Sequence, residues 1–218
     1  MDPLELIIKH FPTLTDLQKR QFLLMGELYP EWNAMINVIS RKDIDNLYPG
    51  HILHSLAIAK WLGELAPGTT FMDLGTGGGF PGLPLAVMYP DCSFHLIDRI
   101  AKKLRVAADI AERIGLHNVT FQHGDVGECH EKFDYVVSRA VMPLDKLVKL
   151  VARNIAPTSP ASNTYSNGLV CLKGGDLGEE SAGVNYPVVE FELAEFMPEP
   201  FFDTKKLVYV PISKSKSK

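Results

Sequence analysis

Apolar residues along the chain change their period once, near residue 67. Before that point they recur every three or four positions. Leu17, Phe22, Leu23, Leu24 and Leu28 follow the turn and cap chemistry of Phe11 to Asp16, and Ile52, Leu56, Ala59, Leu62 and Leu65 form a second run. Such spacing puts apolar side chains on one helix face, so residues 1–66 are expected to form amphipathic helices packed on something larger. After Pro67-Gly68, short apolar runs bounded by Gly, Pro, Asp or Asn alternate with helical stretches. The expected strands are Thr70 to Leu74, Ser93 to Ile97, Val119 to Phe121, Tyr135 to Val137 and Leu169 to Leu172. The expected helices are Leu83 to Met88, Lys102 to Ile114 and Leu144 to Val151. This alternation predicts βαβ units, hence a mostly parallel sheet with helices on both faces. Two late runs, Val188 to Leu193 and Leu207 to Ile212, have no helical pattern between them and are expected to form an antiparallel hairpin at the sheet edge. Ala156 to Asn167, rich in Pro, Ser, Thr and Asn, reads as a loop, and Ser213 to Lys218 as a disordered tail. The expected organisation is a helical extension over 1–66, an α/β domain over 67–212 and the tail over 213–218.

Composition narrows this little: 46% hydrophobic and 22% charged residues over 218 exclude disordered, fibrous and coiled-coil chains. Cys92, Cys129 and Cys171 stand singly, without the paired spacing of a zinc site or a disulfide framework, so a reducing cytoplasm is expected. No apolar run approaches the roughly 20 residues that span a bilayer, and the acidic start Met1-Asp2-Pro3-Leu4-Glu5 is unlike a signal peptide. The net charge of -4 argues at face value against a polyanionic partner. Its distribution weakens that inference. Residues 176–203 hold eight carboxylates and no Lys or Arg, which leaves 22 basic against 18 acidic residues, or +4, in the remaining chain. An acidic back and a basic mouth are expected.

The strongest chemical signal is Asp73-Leu74-Gly75-Thr76-Gly77-Gly78-Gly79-Phe80-Pro81-Gly82, between the first expected strand and its helix. Glycines there allow a tight turn and bring backbone N–H groups and a helix terminus close to a ligand. A P-loop needs Gly-Lys-Ser/Thr, and the turn has no lysine. A dinucleotide fold wants its third glycine where Phe80 stands, one place after Gly79. Asp73 also suits an ammonium-bearing ligand better than a pyrophosphate. The D-x-G-x-G-x-G turn of S-adenosylmethionine (SAM) enzymes remains, beside the bland reading of a glycine turn serving chain reversal only. Asp98 ends the next strand about 20 residues on, where an acid accepts both ribose hydroxyls of an adenosine. Asp125, in His123-Gly124-Asp125-Val126-Gly127, is placed to meet the adenine amino group, although Asp beside Gly is also ordinary turn chemistry.

Further residues give the chain a family resemblance. Trp32-Asn33 with Asn37 and Ser40-Arg41, His51-Ile52 with Ser55-Leu56, Phe80-Pro81-Gly82-Leu83-Pro84, Leu96-Ile97-Asp98 with Lys102-Lys103, Phe133-Asp134, Ser138-Arg139-Ala140 and Leu172-Lys173-Gly174 resemble bacterial ribosomal small subunit methyltransferase G, also called glucose-inhibited division protein B. The resemblance covers most of the chain. It implies a Rossmann-like class I SAM-dependent methyltransferase with a seven-stranded sheet, acting on guanine N7 in 16S rRNA of the small subunit. Carried over position by position, it puts cofactor contacts at Gly75, Phe80, Val126, Gly127 and Arg139. Two departures stand out: His54 replaces an acid common before the Ser-Leu pair, and the His123 to Gly127 turn differs from the usual Arg- and Glu-containing one.

The residues also bear on the methyl acceptor. Pyrimidine carbon-5 needs a cysteine nucleophile, and no cysteine follows a proline or the fourth strand. Exocyclic amines are commonly held by an Asn/Asp-Pro-Pro-aromatic turn, where this chain has Ser138-Arg139-Ala140-Val141-Met142-Pro143. Guanine N7 has an in-plane lone pair and no proton, so it needs alignment and no base. Arg139, at the carboxyl end of the fourth strand, is expected to hold the cofactor carboxylate, guanine O6 or a phosphate, with an ordinary ion pair as the bland alternative. Arg99, Lys102, Lys103 and Arg105 follow Asp98 closely; with Arg41, Lys42 and Lys173 they are expected to contact RNA, or else to form a solvated face. His51 and His54 lack a third ligand, so no metal is expected, and Tyr29, Trp32 and Trp61 could stack on bases or lie in the core. The expected partner is 16S rRNA or the small subunit, met by a cytoplasmic monomer without membrane or metal. A small-molecule methyltransferase with a helical lid and a non-catalytic SAM-binding protein are the other classes that fit.

Overall fold

The cap chemistry ahead of Leu17 closes as a capping box. Thr15 Oγ1 accepts the Gln18 N–H at 3.2 Å, and Gln18 Oε1 accepts the Thr15 N–H at 2.9 Å, satisfying two donors that a helix start leaves open. In the computed structural model, which describes residues 3–40, 43–139 and 141–213, α1 (Pro3–His10) precedes α2 (Asp16–Met35), which that box begins. A π-helical stretch, Leu47–Leu53, leads into α3 (His54–Leu62). It contains Pro49, whose missing N–H cannot close an α-helical bond, so the turn is free to widen.

The strands are β1 (Thr70–Leu74), β2 (Ser93–Asp98), β3 (Val119–His123), β4 (Tyr135–Arg139), β5 (Gly168–Gly174), β6 (Val189–Glu192) and β7 (Lys205–Pro211). Between them run α4 (Gly82–Met88), α5 (Ala101–Arg113), α6 (Leu144–Val151) and α7 (Gly178–Ala182). They form one sheet of order β3-β2-β1-β4-β5-β7-β6. The first five are parallel, and β7 lies antiparallel between β5 and the edge strand β6. The expected parallel sheet and terminal hairpin are present. The short helix α7 and two 3-10 turns, Leu193–Glu195 and Pro200–Phe202, were not expected, because pieces this short carry no helical period.

Alternation along the central strands feeds two cores. Phe71, Tyr135 and Val137 join α2, α3, α4 and α5 on one face, whereas Met72, Leu74 and Val136 join α6 on the other. The helices before β1 are thus continuous with the first core. Trp61 stacks on Tyr165 at 3.8 Å there, Tyr29 is fully buried, and Trp32 Nε1 donates to Asp109 at 2.7 Å, so none of these rings is a free platform for a base. No helix of the described residues is long and apolar enough to cross a membrane.

The same topology neutralises part of the acidic segment. Antiparallel pairing of β6 with β7 sets Lys206 opposite Glu192, and its Nζ lies 3.2 Å from Glu192 and 3.0 Å from Glu190. Lys9 of α1 reaches Glu199 at 2.8 Å, and Lys173 reaches Glu180 at 2.7 Å. Half of the eight acids therefore have basic partners supplied from outside the segment. Arg41, Lys42 and tail residues 214–218 lie outside the described residues.

Candidate active site

Strand order reverses at β1, which has β2 on one side and β4 on the other, and ligands of open α/β sheets collect at the carboxyl ends of such strands. Three signals of the sequence meet there: the glycine turn after β1, Asp98 ending β2 and Arg139 ending β4. They border a cleft of about 400 Å³, within the usual range for small-molecule sites.

Gly75 (φ +71°) and Gly77 (φ +57°) adopt the left-handed backbone that L side chains avoid, and a Cβ on Gly75 would lie 2.8 Å from Val141. The loop is tied to β2. Asp98 Oδ2 accepts the Gly77 N–H at 2.7 Å and Oδ1 accepts the Ile100 N–H at 2.7 Å. Each carboxylate oxygen keeps a lone pair, which suits two ribose hydroxyls. Ile97, Ile100, Val126 and Leu150 give the cleft an apolar wall, Arg139 its cationic end, and Gly75, Thr76, Gly77, Gly78 and Phe80 its floor. An acid for a ribose, apolar surface for a purine, a glycine cradle that a Cβ would fill and a guanidinium for a carboxylate together match SAM.

Arg139 is held by the helical segment. Alternation along β4 turns it to the face of Tyr135 and Val137, where Nη1 donates to Gly50 O at 3.3 Å and Nη2 donates to His51 Nδ1 at 2.9 Å. Its guanidinium lies 5.0 Å from the Phe80 ring, which also packs on Tyr29 at 4.6 Å and His51 at 5.3 Å. Tyr29 in turn donates to Gly78 O at 2.7 Å. Burial lowers the Arg139 pKa to about 10, against the attraction of Asp73, so it remains a cation. Burial, with Arg139 adding repulsion, lowers His51 to about 4 and His54 to about 3, so both rings are neutral at pH 7. No carboxylate of the described residues lies within ion-pair distance of Arg139, unlike the bland expectation for it.

Several expected contacts take other roles. Asp73 shares the face of Phe71, away from the cleft lining, and is fully buried. Its Oδ2 accepts Thr76 Oγ1 at 2.6 Å and Gly82 N–H at 2.8 Å, so it braces the turn from behind and offers no exposed partner for an ammonium group. Burial raises its pKa to about 7. Gly79 (φ +106°) faces Leu83 and Tyr29 and lies outside the lining. Asp125 Oδ1 caps Gly127 N–H at 2.6 Å and Oδ2 pairs with Arg99, so neither Asp125 nor Gly127 lines the cleft, while Val126 and Gly124 do. Lys103 borders the cleft, whereas Lys102 is exposed on α5 outside the lining. Lys173, expected at RNA, is a half-buried pin: Nζ donates to Met142 O at 2.6 Å and Glu180 at 2.7 Å.

Sequence reasoning took His51 as a mark of the family resemblance and as an incomplete metal ligand, and missed it as the arginine's partner, as it missed the apolar wall of Val38, Ile100, Val141 and Leu150. His51 sits 88 residues from Arg139, beyond any local pattern. Ile100, two residues after Asp98, carried the one available signal. No group of three His, Cys, Asp or Glu among the described residues could hold a metal ion.

Solved structures agree on the fold. A fibrillarin/Nop5p complex matches with TM-score 0.53 at 12% identity, covering 71% of this chain and 78% of that one. The CurJ carbon methyltransferase matches with TM-score 0.52 at 12% identity, covering 74% of this chain and 54% of that one. Sequence relatives are much nearer. The ribosomal RNA small subunit methyltransferase G of Bacteroides thetaiotaomicron is 54% identical over 96% of this chain and 100% of its own length. The protein of the same name from Christiangramia forsetii is 47% identical, over 96% of this chain and 97% of its own. The family description rRNA small subunit methyltransferase G matches residues 18–160. With the SAM-shaped cleft at its centre and this likeness along nearly its whole length, the chain is a SAM-dependent methyltransferase and belongs to the rRNA small subunit methyltransferase G family.

Proposed function

We propose that the chain methylates N7 of a guanine in 16S rRNA of the small ribosomal subunit, acting in the cytoplasm. The observation that carries the choice of atom is the ionisation of the site: the groups near the cationic end of the cleft are poor bases. Arg139 is a cation, His51 is neutral with Nδ1 occupied by Arg139, Asp73 is closed off behind the glycine turn by its bonds to Thr76 and Gly82, and the carboxylate that lines the cleft, Asp98, is tied to that turn at the ribose end. Guanine N7 loses no proton on methylation, so it suits a site without a base. When bound, SAM supplies a methyl group on a sulfonium; transfer to N7 leaves a neutral thioether and a cationic purine, with no proton released.

The protein's part is to hold and orient. Asp98 fixes the ribose, the wall of Ile97, Ile100 and Val126 excludes water from the purine, and Arg139 anchors a carboxylate while Phe80 and His51 keep its guanidinium in one orientation. Lys103 at the rim and Lys102 on α5 supply positive charge for phosphates. We further assign residues before β1 the role of an extension that supplies His51 and Gly50 to the site.

Incubation with radiolabelled SAM and small subunits, purified 16S rRNA or a metabolite extract tests this reading. Label is expected in rRNA and, after digestion, in 7-methylguanosine; label in another base or only in small molecules refutes it.

A further inference from the structure

A second cavity, also of about 400 Å³, opens on the far side of Arg139 and shares Arg139, Val141 and Met142 with the SAM cleft. Its other walls include His54, Lys205, Glu180 and the apolar side chains of Pro143 and Leu172. Two cavities with a common wall of three residues are the arrangement that brings a methyl donor and an acceptor together.

The polar groups of this second cavity divide by hydrogen-bonding sense. Arg139 uses two of its five N–H donors on Gly50 O and His51 Nδ1, which leaves three. Lys205 lies 5.5 Å from the Phe201 ring and has no carboxylate partner among the described residues. Both are donors only. Glu180 Oε2 is engaged by Lys173 Nζ at 2.7 Å and by the Leu144 N–H at 2.8 Å. His54 is different. Its ring is more than nine-tenths buried, packed edge-on against Phe201 at 5.4 Å and Phe202 at 5.9 Å, and its Nε2 is shielded from water with no partner among the described residues. Its other nitrogen is left to hydrogen-bond the Gly50 backbone, and the ring is neutral, so Nε2 carries a bare lone pair. A buried acceptor without a donor is destabilising until a ligand supplies one.

We propose that this second cavity seats the acceptor guanine, with His54 Nε2 accepting from N1–H or the 2-amino group while Lys205 and Arg139 donate to O6. The inference rests on the functional reading above and adds how the base is told apart. The Watson–Crick edge of guanine offers one acceptor followed by donors, which complements this division. Adenine reverses it, setting its 6-amino group against two cations and its N1 lone pair against that of His54. With its Watson–Crick edge engaged, guanine keeps N7 free for the methyl group across the shared wall. Because Nε2 is closed to water in the free chain, the base must displace part of the cavity wall as it enters.

The test compares the intact chain with His54→Leu, His54→Gln and Lys205→Ala, using small subunits that lack the modification and, in parallel, subunits with adenine at the labelled position. SAM affinity is measured by calorimetry and folding by circular dichroism. His54→Leu is expected to lower kcat/KM for the subunit by about 10- to 100-fold and to narrow the guanine-over-adenine preference, with SAM affinity within about twofold. His54→Gln, whose amide oxygen can accept, is expected to recover most of both. Lys205→Ala is expected to lower kcat/KM by about 10-fold, and it carries the test if His54→Leu does not fold. Unchanged kcat/KM and base preference in every variant that folds overturns the cavity assignment alone. An unsubstituted chain that binds SAM but labels no RNA overturns the functional reading, and this inference with it.

Discussion

Three groups beside Arg139, buried Asp73 and His54 and half-buried His51, give the fold a pH dependence in which opposite signs compete, and Asp73→Asn separates them. His51 and His54 have folded pKa values of about 4 and about 3 against an ordinary 6.5, so the folded chain binds fewer protons than the unfolded one below pH 6.5. Stability is therefore lost as pH falls from 6.5 toward 4. Asp73 acts in reverse: its folded pKa of about 7 exceeds the ordinary 3.8, so the folded chain binds the extra proton and stability is gained as pH falls from about 7. Between pH 7 and pH 5 each imidazole costs about 2 kcal/mol, about 4 kcal/mol together, and Asp73 offsets about 2 kcal/mol. These three groups should thus cost the unsubstituted chain about 2 kcal/mol over this interval, and Asp73→Asn, which cannot take the proton, should lose about 2 kcal/mol more than the parent. Urea unfolding at pH 7 and pH 5 measures both. Titrating groups elsewhere cancel in the comparison, and the cost of an amide at the unpartnered Oδ1 position is the same at both pH values. Equal losses in the two proteins would refute the assignment of Asp73 as a brace whose burial favours the protonated form.

Arg139→Ala removes the cation common to both cavities, and turnover should fall by on the order of 100-fold; normal steady-state turnover together with normal SAM affinity by calorimetry would sink the role given to it. Gly75→Ala forces a Cβ to 2.8 Å from Val141 at φ +71°, and SAM affinity should drop at least about 10-fold from strain of about 1–2 kcal/mol and the displaced wall. Lys173→Ala breaks the contact with Glu180 and Met142 O, so it should lower the thermal midpoint while the dependence of RNA affinity on salt stays unchanged. Lys102→Ala should do the opposite, leaving the midpoint in place and reducing the slope of log affinity against log salt by about 0.7–0.9.

What the sequence determined by itself was local chemistry along one strand and its turn. Alternation, glycine spacing and terminal acids placed β1 to β5, the turn at Gly75 and Gly77 and Asp98 at the edge of the cleft, because each depends on residues a few positions apart. The roles of Asp73, Lys173 and Asp125 were settled by tertiary structure. Asp73 lies two residues from the turn yet faces the helix side, since the pleat sends it with Phe71. Lys173 looks like a free cation in a linear reading, until α7, too short to have a period, brings Glu180 to 2.7 Å. Arg139 was legible as a site residue from its place at a strand end. Its partners were not, because Gly50 and His51 reach it from 89 and 88 residues away through a π-helical turn that no spacing announces. Net charge was least informative of all: it sums over the chain, whereas ion pairs depend on which residues the sheet sets side by side, as it sets Lys206 between Glu190 and Glu192.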